Sequence, residues 1–176
     1  KPLIGTIVES IPANGKIQPV TEVKISPDVS GEIIKLNFQE GDAVEKGDLI
    51  LQIKQDVYIS ARDRAEASLN AIKAQYLQQQ AQVQQIGLTH NRNIALYEKR
   101  TISLADYEKS CAEYEIAMSH LKAAEYNVLS AQASLKEAEE NLVKTNIYAP
   151  MSGTISKLSV EIGERVVGTT QMAGTE

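Results

Sequence analysis

Residues 31–44 read GEIIKLNFQEGDAV and residues 153–166 read GTISKLSVEIGERV, so one pattern occurs twice in this chain. The offset between the copies is constant at 122 residues, as from Gly31 to Gly153. The repeated positions are Gly31/Gly153, Ile33/Ile155, Leu36/Leu158, Gly41/Gly163 and Val44/Val166. Each copy predicts a strand, a turn at the glycine–acid pair and a second strand. Neither copy can bury its apolar face alone, so we expect the two to pack into one small β domain.

The region between the copies, from about residue 56 to 144, contains no proline and one glycine, Gly87. Its second half places large residues every seven positions, with alanine in the other position of the heptad. The large residues are Tyr114, Leu121, Val128, Leu135 and Leu142, and the alanines are Ala117, Ala124, Ala131 and Ala138. The first half alternates spacings of three and four through Ala65, Leu69, Ile72, Tyr76, Gln79, Val83, Ile86 and His90. This periodicity predicts two coiled-coil helices, each of about 40 residues and about 60 Å long.

A reversal is expected between the two helices, with its tip near residues 97–103. Ser103 followed by Asp106 is typical of a helix N-cap with an acid at the third helical position. An antiparallel hairpin returns the chain to its starting point, which allows the two β copies to meet. The predicted fold class is therefore α+β, a split β domain interrupted by a long antiparallel α-helical hairpin.

The composition of the chain disfavours several classes of function. The chain has 176 residues, a net charge of −5, no tryptophan and one phenylalanine, which fits a long coiled coil and disfavours a nucleic-acid partner. The single cysteine, Cys111, is interpreted as a small residue of the helix–helix seam, and His90 as a polar seam residue. His90 and His120 lie too far apart in sequence for metal-ligand spacing, and no glycine-rich phosphate loop occurs. We therefore expect neither a catalytic site nor a metal or cofactor.

The flanking segments identify a family. Residues 25–33 (ISPDVSGEI) and 40–50 (EGDAVEKGDLI) resemble the first half of a biotinyl/lipoyl domain, and residues 148–155 (YAPMSGTI) resemble the second half. A lipoyl-like domain split by a coiled-coil hairpin is similar to the periplasmic adaptor, or membrane fusion, protein family, which includes the HlyD-, MacA- and AcrA-like groups. The expected divisions are lipoyl halves at 22–54 and 145–172, and the hairpin at 55–144. Residues 1–21 would enter a truncated β-barrel domain, and 173–176 would begin the return to it.

The resemblance implies a function and a site. It implies a subunit in the periplasm of a Gram-negative bacterium, anchored to the inner membrane when full-length. Such a subunit links an inner-membrane transporter of ABC or RND type to a TolC-like outer-membrane channel, for drug efflux or type I secretion. It assembles with copies of itself, by family analogy into a hexamer. The family's tip motif of Arg, three residues, Leu, six residues and Ser matches Arg92, Leu96 and Ser103, which implies channel docking there.

Three other interpretations stay open. Ser103 can be only an N-cap, Leu96 only a seam residue and Arg92 only a solvated charge, in which case the hairpin is a structural spacer. Arg100 and Leu104 repeat the four-residue spacing, but Cys111 then stands where the motif requires serine. A lipoyl or biotin carrier would need a modified lysine, and Lys54 near the junction lacks the flanking signature of carrier lysines.

Overall fold

The computed structural model describes residues 21–168. The predicted barrel strand in residues 1–21 lies outside this range except for Thr21, as do residues 169–176 at the end of the second lipoyl half and beyond. Two long helices occupy the middle of the chain, α1 (Asp56–Glu98) and α2 (Leu104–Val143). Three strands precede them, β1 (Gly31–Leu36), β2 (Ala43–Val44) and β3 (Leu49–Ile53). Three follow, β4 (Asn146–Tyr148), β5 (Gly153–Thr154) and β6 (Arg165–Val166). The predicted split β domain with an inserted helical hairpin is confirmed.

The described strands form two sheets, and the two sequence copies contribute to both. The larger sheet has the order β4-β3-β1-β6 and the smaller sheet pairs β2 with β5, with every pairing antiparallel. The first strand of each copy therefore pairs with the second strand of the other copy. This exchange explains why neither copy can form the domain alone.

The hydrogen bonds of the two copies follow an approximate two-fold symmetry. Gly41 N–H donates to the Ile155 carbonyl at 2.8 Å, and Gly163 N–H donates to the Ile33 carbonyl at 2.8 Å. Both glycines have positive φ, 92° for Gly41 and 89° for Gly163, which glycine adopts without steric cost. The following acid accepts a hydrogen bond from the backbone N–H three residues earlier in each copy. The 122-residue repeat is thus a structural repeat, down to its turn.

The core of the β domain is small and tightly closed. Ile33, Ile53 and Val166 are 0–1% exposed and lie in β1, β3 and β6. Val29 and Leu51 complete the buried cluster. At about 25 cal/mol per Å² of buried apolar surface, a few fully buried aliphatic side chains supply much of the stability of a domain of this size.

The hairpin packs differently, through small residues. Four residues of α2 are buried at intervals of seven: Ser110, Ala117, Ala124 and Ala131. The large heptad residues, such as Tyr114 and Leu121, are only half-buried, and Leu69 is the one buried residue of α1. Alanine lets two helix backbones approach closely, so the larger residues lie along the flanks of the contact.

The position of Cys111 corrects one prediction. Ser110, not Cys111, occupies the buried heptad position before Ala117, and Cys111 is half-buried beside it. The interpretation of Cys111 as a seam residue was therefore wrong by one position. His90 does lie in the seam: its Nδ1 is 3.1 Å from the Ser110 hydroxyl, and its ring stacks on Tyr114.

Candidate functional site at the hairpin tip

Helix α1 ends in a Schellman motif built on an arginine. Arg100 N–H donates to the Tyr97 carbonyl and Thr101 N–H donates to the Leu96 carbonyl, both at 2.8 Å. This pattern requires a left-handed residue just beyond the helix, a position usually held by glycine. Arg100 holds it with a φ of 56°, the one positive φ of a non-glycine residue in the described chain. The left-handed conformation is unfavourable for an L-residue with a side chain, so the turn is closed at some conformational cost.

Helix α2 begins with the predicted cap. Ser103 is extended (φ −73°, ψ 158°), and its hydroxyl accepts a hydrogen bond from Asp106 N–H at 3.1 Å. The same hydroxyl donates to the Asp106 carboxylate at 2.6 Å. In a standard capping box the acid would instead accept from the backbone of the cap residue. The carboxylate also lies in the first turn, where it is favoured by the helix dipole.

The three predicted docking residues lie at the tip. Arg92 and Leu96 are one turn apart on α1, and Ser103 is the last residue of the five-residue loop 99–103 and the cap of α2. Arg92 and Ser103 are exposed, whereas Leu96 is half-buried. A guanidinium, a partly accessible leucine and a hydroxyl can together bind a polar groove that has an apolar pocket. Because Ser103 is engaged with Asp106, its hydroxyl already has a structural role.

A pair of stacked tyrosines connects the two helices next to the tip. The rings of Tyr97 and Tyr107 stack with centroids 4.7 Å apart, which joins the end of α1 to the start of α2. A side-chain hydrogen bond with Cys111, together with the charge of the thiolate, raises the pKa of Tyr107 above the ordinary tyrosine value. The sequence carried no signal for this stack, because the two tyrosines belong to different helices and lie on either side of the loop.

The alternative pair at the tip has a different geometry. Leu104 is exposed at the first position of α2, but Arg100 lies between the helices in the left-handed conformation. The four-residue spacing of Arg100 and Leu104 therefore does not correspond to one turn of a helix, as it does for Arg92 and Leu96. The structure thus gives a second reason to set the Arg100 and Leu104 pair apart, beside the cysteine that stands where the motif requires serine.

The described residues were also searched for a metal site, a membrane span and a carrier lysine. Within residues 21–168, no group of three or more histidine, cysteine or acidic residues is placed to hold a metal ion. Among the same residues, no helix combines the length and apolarity needed to cross a bilayer. Lys54 is exposed, and its ammonium lies 3.9 Å from the Asp56 carboxylate at the hairpin base, where neither copy of the repeat makes a turn.

Comparison with known proteins places this chain in a class. Residues 21–174 match the family described as RND MFP, barrel-sandwich hybrid domain. A match over most of the chain, together with the split sheet and the hairpin, shows that the chain belongs to this family of membrane fusion proteins, also called periplasmic adaptors. The proteins of this family are non-enzymatic linkers, in agreement with the prediction of no catalytic site.

Particular relatives share this part of the protein. The chain is 28% identical over 167 residues to the macrolide export protein MacA of Escherichia coli O157:H7, covering 95% of this chain and 45% of MacA. It is 32% identical over 152 residues to the multidrug resistance protein MdtE of E. coli K12, covering 86% of this chain and 36% of MdtE. The crystal structure of MacA from Actinobacillus actinomycetemcomitans superposes with a TM-score of 0.81 at 26% identity, covering 88% of this chain and 47% of that one. The chain thus spans less than half the length of these relatives.

Proposed function

We propose that this chain is the hairpin-bearing part of an adaptor that links an inner-membrane transporter to a TolC-like outer-membrane channel. The observation that carries the proposal is the hairpin, two helices of 43 and 40 residues whose tip carries an exposed Arg92, a half-buried Leu96 and an exposed Ser103. A hairpin about 60 Å long extends well beyond the β domain and presents the tip to a distant partner. The named relatives support export: MacA is a macrolide export protein and MdtE a multidrug resistance protein.

The transporter partner is of ABC or RND type, and the transported substrate is a drug or a secreted molecule. In this proposal the adaptor works in the periplasm, anchored to the inner membrane, and copies assemble into a ring, taken as a hexamer by family analogy. The β domains pack side by side and the hairpins form a funnel. Association into a ring needs a different surface on each side of the subunit, and α1 and α2 provide two unlike surfaces.

Docking of the tip follows from its chemistry. Arg92 makes charge-assisted hydrogen bonds to carboxylates or carbonyls of the channel, and Leu96 enters an apolar pocket. Ser103 fixes the start of α2 and offers its oxygen to the channel. A partner groove between two channel helices would accept such a tip.

The first experiment is a pull-down of the TolC-type channel of the same bacterium by the full-length adaptor. Arg92→Asp is compared with Arg64→Asp, the same charge reversal about 42 Å lower on α1. Leu96→Asp is compared with Leu88→Asp, which changes an exposed leucine on the same helix. We expect at least a tenfold loss of binding for the tip variants and little change for the controls, with helicity retained by circular dichroism. Equal binding by all four variants would remove the tip from the docking surface and favour the structural spacer.

Ser103 needs a separate test because it is also a cap. Ser103→Ala removes the cap and should lower the free energy of unfolding by about 1 kcal/mol, whereas Ser103→Asn preserves capping without placing a second carboxylate beside Asp106. Loss of channel binding by both variants assigns the hydroxyl to docking. Loss by Ser103→Ala alone assigns it to the cap.

The carrier alternative is tested by mass. After expression together with a lipoyl or biotin ligase, the adaptor is expected to keep the mass of its unmodified sequence. An adduct on Lys54 would instead support a carrier function.

A further inference from the structure

A cluster of hydrogen bonds occupies the base of the hairpin, where the chain leaves β3 for α1 and returns from α2 to β4. Thr145, between α2 and β4, is 0% exposed although its side chain is polar. Every buried side-chain nitrogen or oxygen in the described chain has a partner, so this threonine is a satisfied polar centre. Such centres fix geometry, because hydrogen bonds lose strength steeply with distance and angle.

Thr145 joins three elements at once. Its hydroxyl donates to the Leu142 carbonyl in the last turn of α2 at 2.6 Å. The same oxygen accepts from Gln55 Nε2, next to the start of α1, at 2.7 Å. Its carbonyl accepts from Ile53 N–H in β3 at 2.8 Å. Gln55 does not cap α1 with its side chain; the amide is directed across to α2 and also reaches Asn146 Oδ1 at 3.2 Å.

Tyr58, in the first turn of α1, makes a second tie to the β domain. Its hydroxyl donates to the Ser30 carbonyl, just before β1, at 2.7 Å. Its ring packs against the buried core of the β domain. The first turn of α1 is therefore held to α2 and β3 through Thr145, and to the residue before β1 through Tyr58. Two ties at separate points resist both tilting and twisting of the hairpin.

The length of the hairpin makes this base important for the tip. From Asp56 to Glu98, α1 is about 63 Å long at 1.5 Å per residue. A tilt of about 10° at the base would move the tip by about 11 Å, which is about the width of a helix with its side chains. Tip residues can meet a fixed partner repeatedly only if the base holds its direction.

We propose that Gln55, Tyr58 and Thr145 form a positioning joint that fixes the direction of the hairpin relative to the β domain. The direction of the hairpin is a property of this chain alone, whereas its consequence for channel binding rests on the proposed function. The joint acts through hydrogen bonds, so removing hydroxyl groups while keeping side-chain volume should loosen it.

The test measures hairpin direction with spin labels. In a Cys111→Ser background, one label is placed at Lys35 in β1 and another at Gln80 in α1, both of which are exposed. Double electron–electron resonance then gives the distribution of distances across the joint. Gln80 lies about 36 Å from the base, so that a 10° tilt moves it by about 6 Å. For Tyr58→Phe combined with Thr145→Val, we expect the width of the distribution to increase about twofold.

Matched variants separate the joint from general loosening. Tyr126→Phe combined with Thr89→Val also removes one tyrosine and one threonine hydroxyl, but from exposed positions of the hairpin. It should leave the width of the distance distribution unchanged. The single variant Thr145→Ser keeps the buried hydroxyl, and its distribution of distances between Lys35 and Gln80 should stay narrow. A second label pair, Gln80 with Glu115 on α2, reports the hairpin itself and should stay narrow in every variant.

Two results would overturn the joint: an unchanged width across Lys35 and Gln80 in the double variant, or equal broadening of both label pairs. These widths are measured without a channel, so they stand or fall independently of the docking site. If the joint holds, the double variant should also bind the TolC-type channel several-fold more weakly with its tip residues intact. If Arg92→Asp proves harmless while the widths change as expected, the docking proposal fails and the joint remains.

Discussion

The β domain and the hairpin bury their residues in opposite ways. In the β domain, Ile33, Ile53 and Val166 are nearly inaccessible to solvent. In the hairpin, the buried residues of α2 are alanines and a serine, and the large heptad residues of the same helix are half-buried. The β domain therefore concentrates its stability in a few side chains, whereas the hairpin distributes it over many small contacts. Substitutions on the surface of the hairpin are expected to leave its fold intact, whereas substitutions in the β core are expected to destabilise the domain.

The largest effect should come from the β core. Ile53→Ala removes a side chain with 0% exposure from β3 and should lower the free energy of unfolding by about 2–5 kcal/mol. Ile34→Ala, at a position 47% exposed on the neighbouring strand, should cost less than about 1 kcal/mol. Urea unfolding followed by circular dichroism measures both. Similar midpoints for the two variants would contradict a concentrated core.

A smaller effect should come from the seam of the hairpin. Ala124→Leu places a large side chain where the helices approach closely and should destabilise the hairpin by about 1–3 kcal/mol. Ala123→Leu, on the exposed side of the same helix, is the matched control and should be nearly neutral. Thermal unfolding of the helical signal compares them. If Ala124→Leu is tolerated as well as its neighbour, then close approach at alanine is not what holds the helices.

A substitution in the turn at the tip should increase the stability of the protein. Arg100→Gly relieves the left-handed backbone and should raise the free energy of unfolding by about 1 kcal/mol. Lys99→Gly, one residue earlier with a φ of −80°, relieves nothing and should lower it by up to about 1 kcal/mol. Urea unfolding midpoints report the sign of each change. A loss of stability for Arg100→Gly would mean that the arginine side chain contributes more than its backbone costs.

The smallest effect concerns pH. The hydrogen bond with Cys111 raises the pKa of Tyr107 in the folded protein, so the stabilisation it provides is complete below the ordinary tyrosine value of about 10. It is lost as the pH rises through the raised pKa. Cys111→Ala should therefore move one tyrosine transition to lower pH in an absorbance titration, and Tyr107→Phe should remove that transition. A titration curve unchanged by Cys111→Ala would contradict the contact.

Much of this contrast could be predicted from sequence, because periodicity and repetition report burial directly. The 122-residue repeat predicted two copies of one β unit, the heptads predicted the hairpin, and the pair Ser103 and Asp106 predicted the cap of the second helix. The exchange of strands between the copies was not predictable, since either pairing would bury the same apolar residues. The heptad of Ala117 extended back by seven residues indicates Ser110, so the error at Cys111 was avoidable.

The candidate site was predictable in part. The motif located Arg92, Leu96 and Ser103 at the tip, and its serine position set them apart from Arg100 and Leu104. An arginine carries no signal for a left-handed conformation, in contrast to glycine, so the Schellman motif was visible only in the backbone. The hydrogen bond between Gln55 and Thr145 joins residues 90 positions apart, and no local pattern reports such a contact.

The adjacent ends of the hairpin have a consequence for its evolution and its engineering. Gln55 Nε2 donates to Asn146 Oδ1 at 3.2 Å, so the β domain receives the same two chain ends whatever the length of the insertion between them. Adding or deleting one heptad in each helix would shift the tip by about 10 Å and keep nearly the same face toward the same side. The length of the hairpin can therefore change in units of one heptad, which is about two helical turns. Under the proposed function, a change in the number of heptads would fit the adaptor to a different distance between transporter and channel, with no change to the β domain.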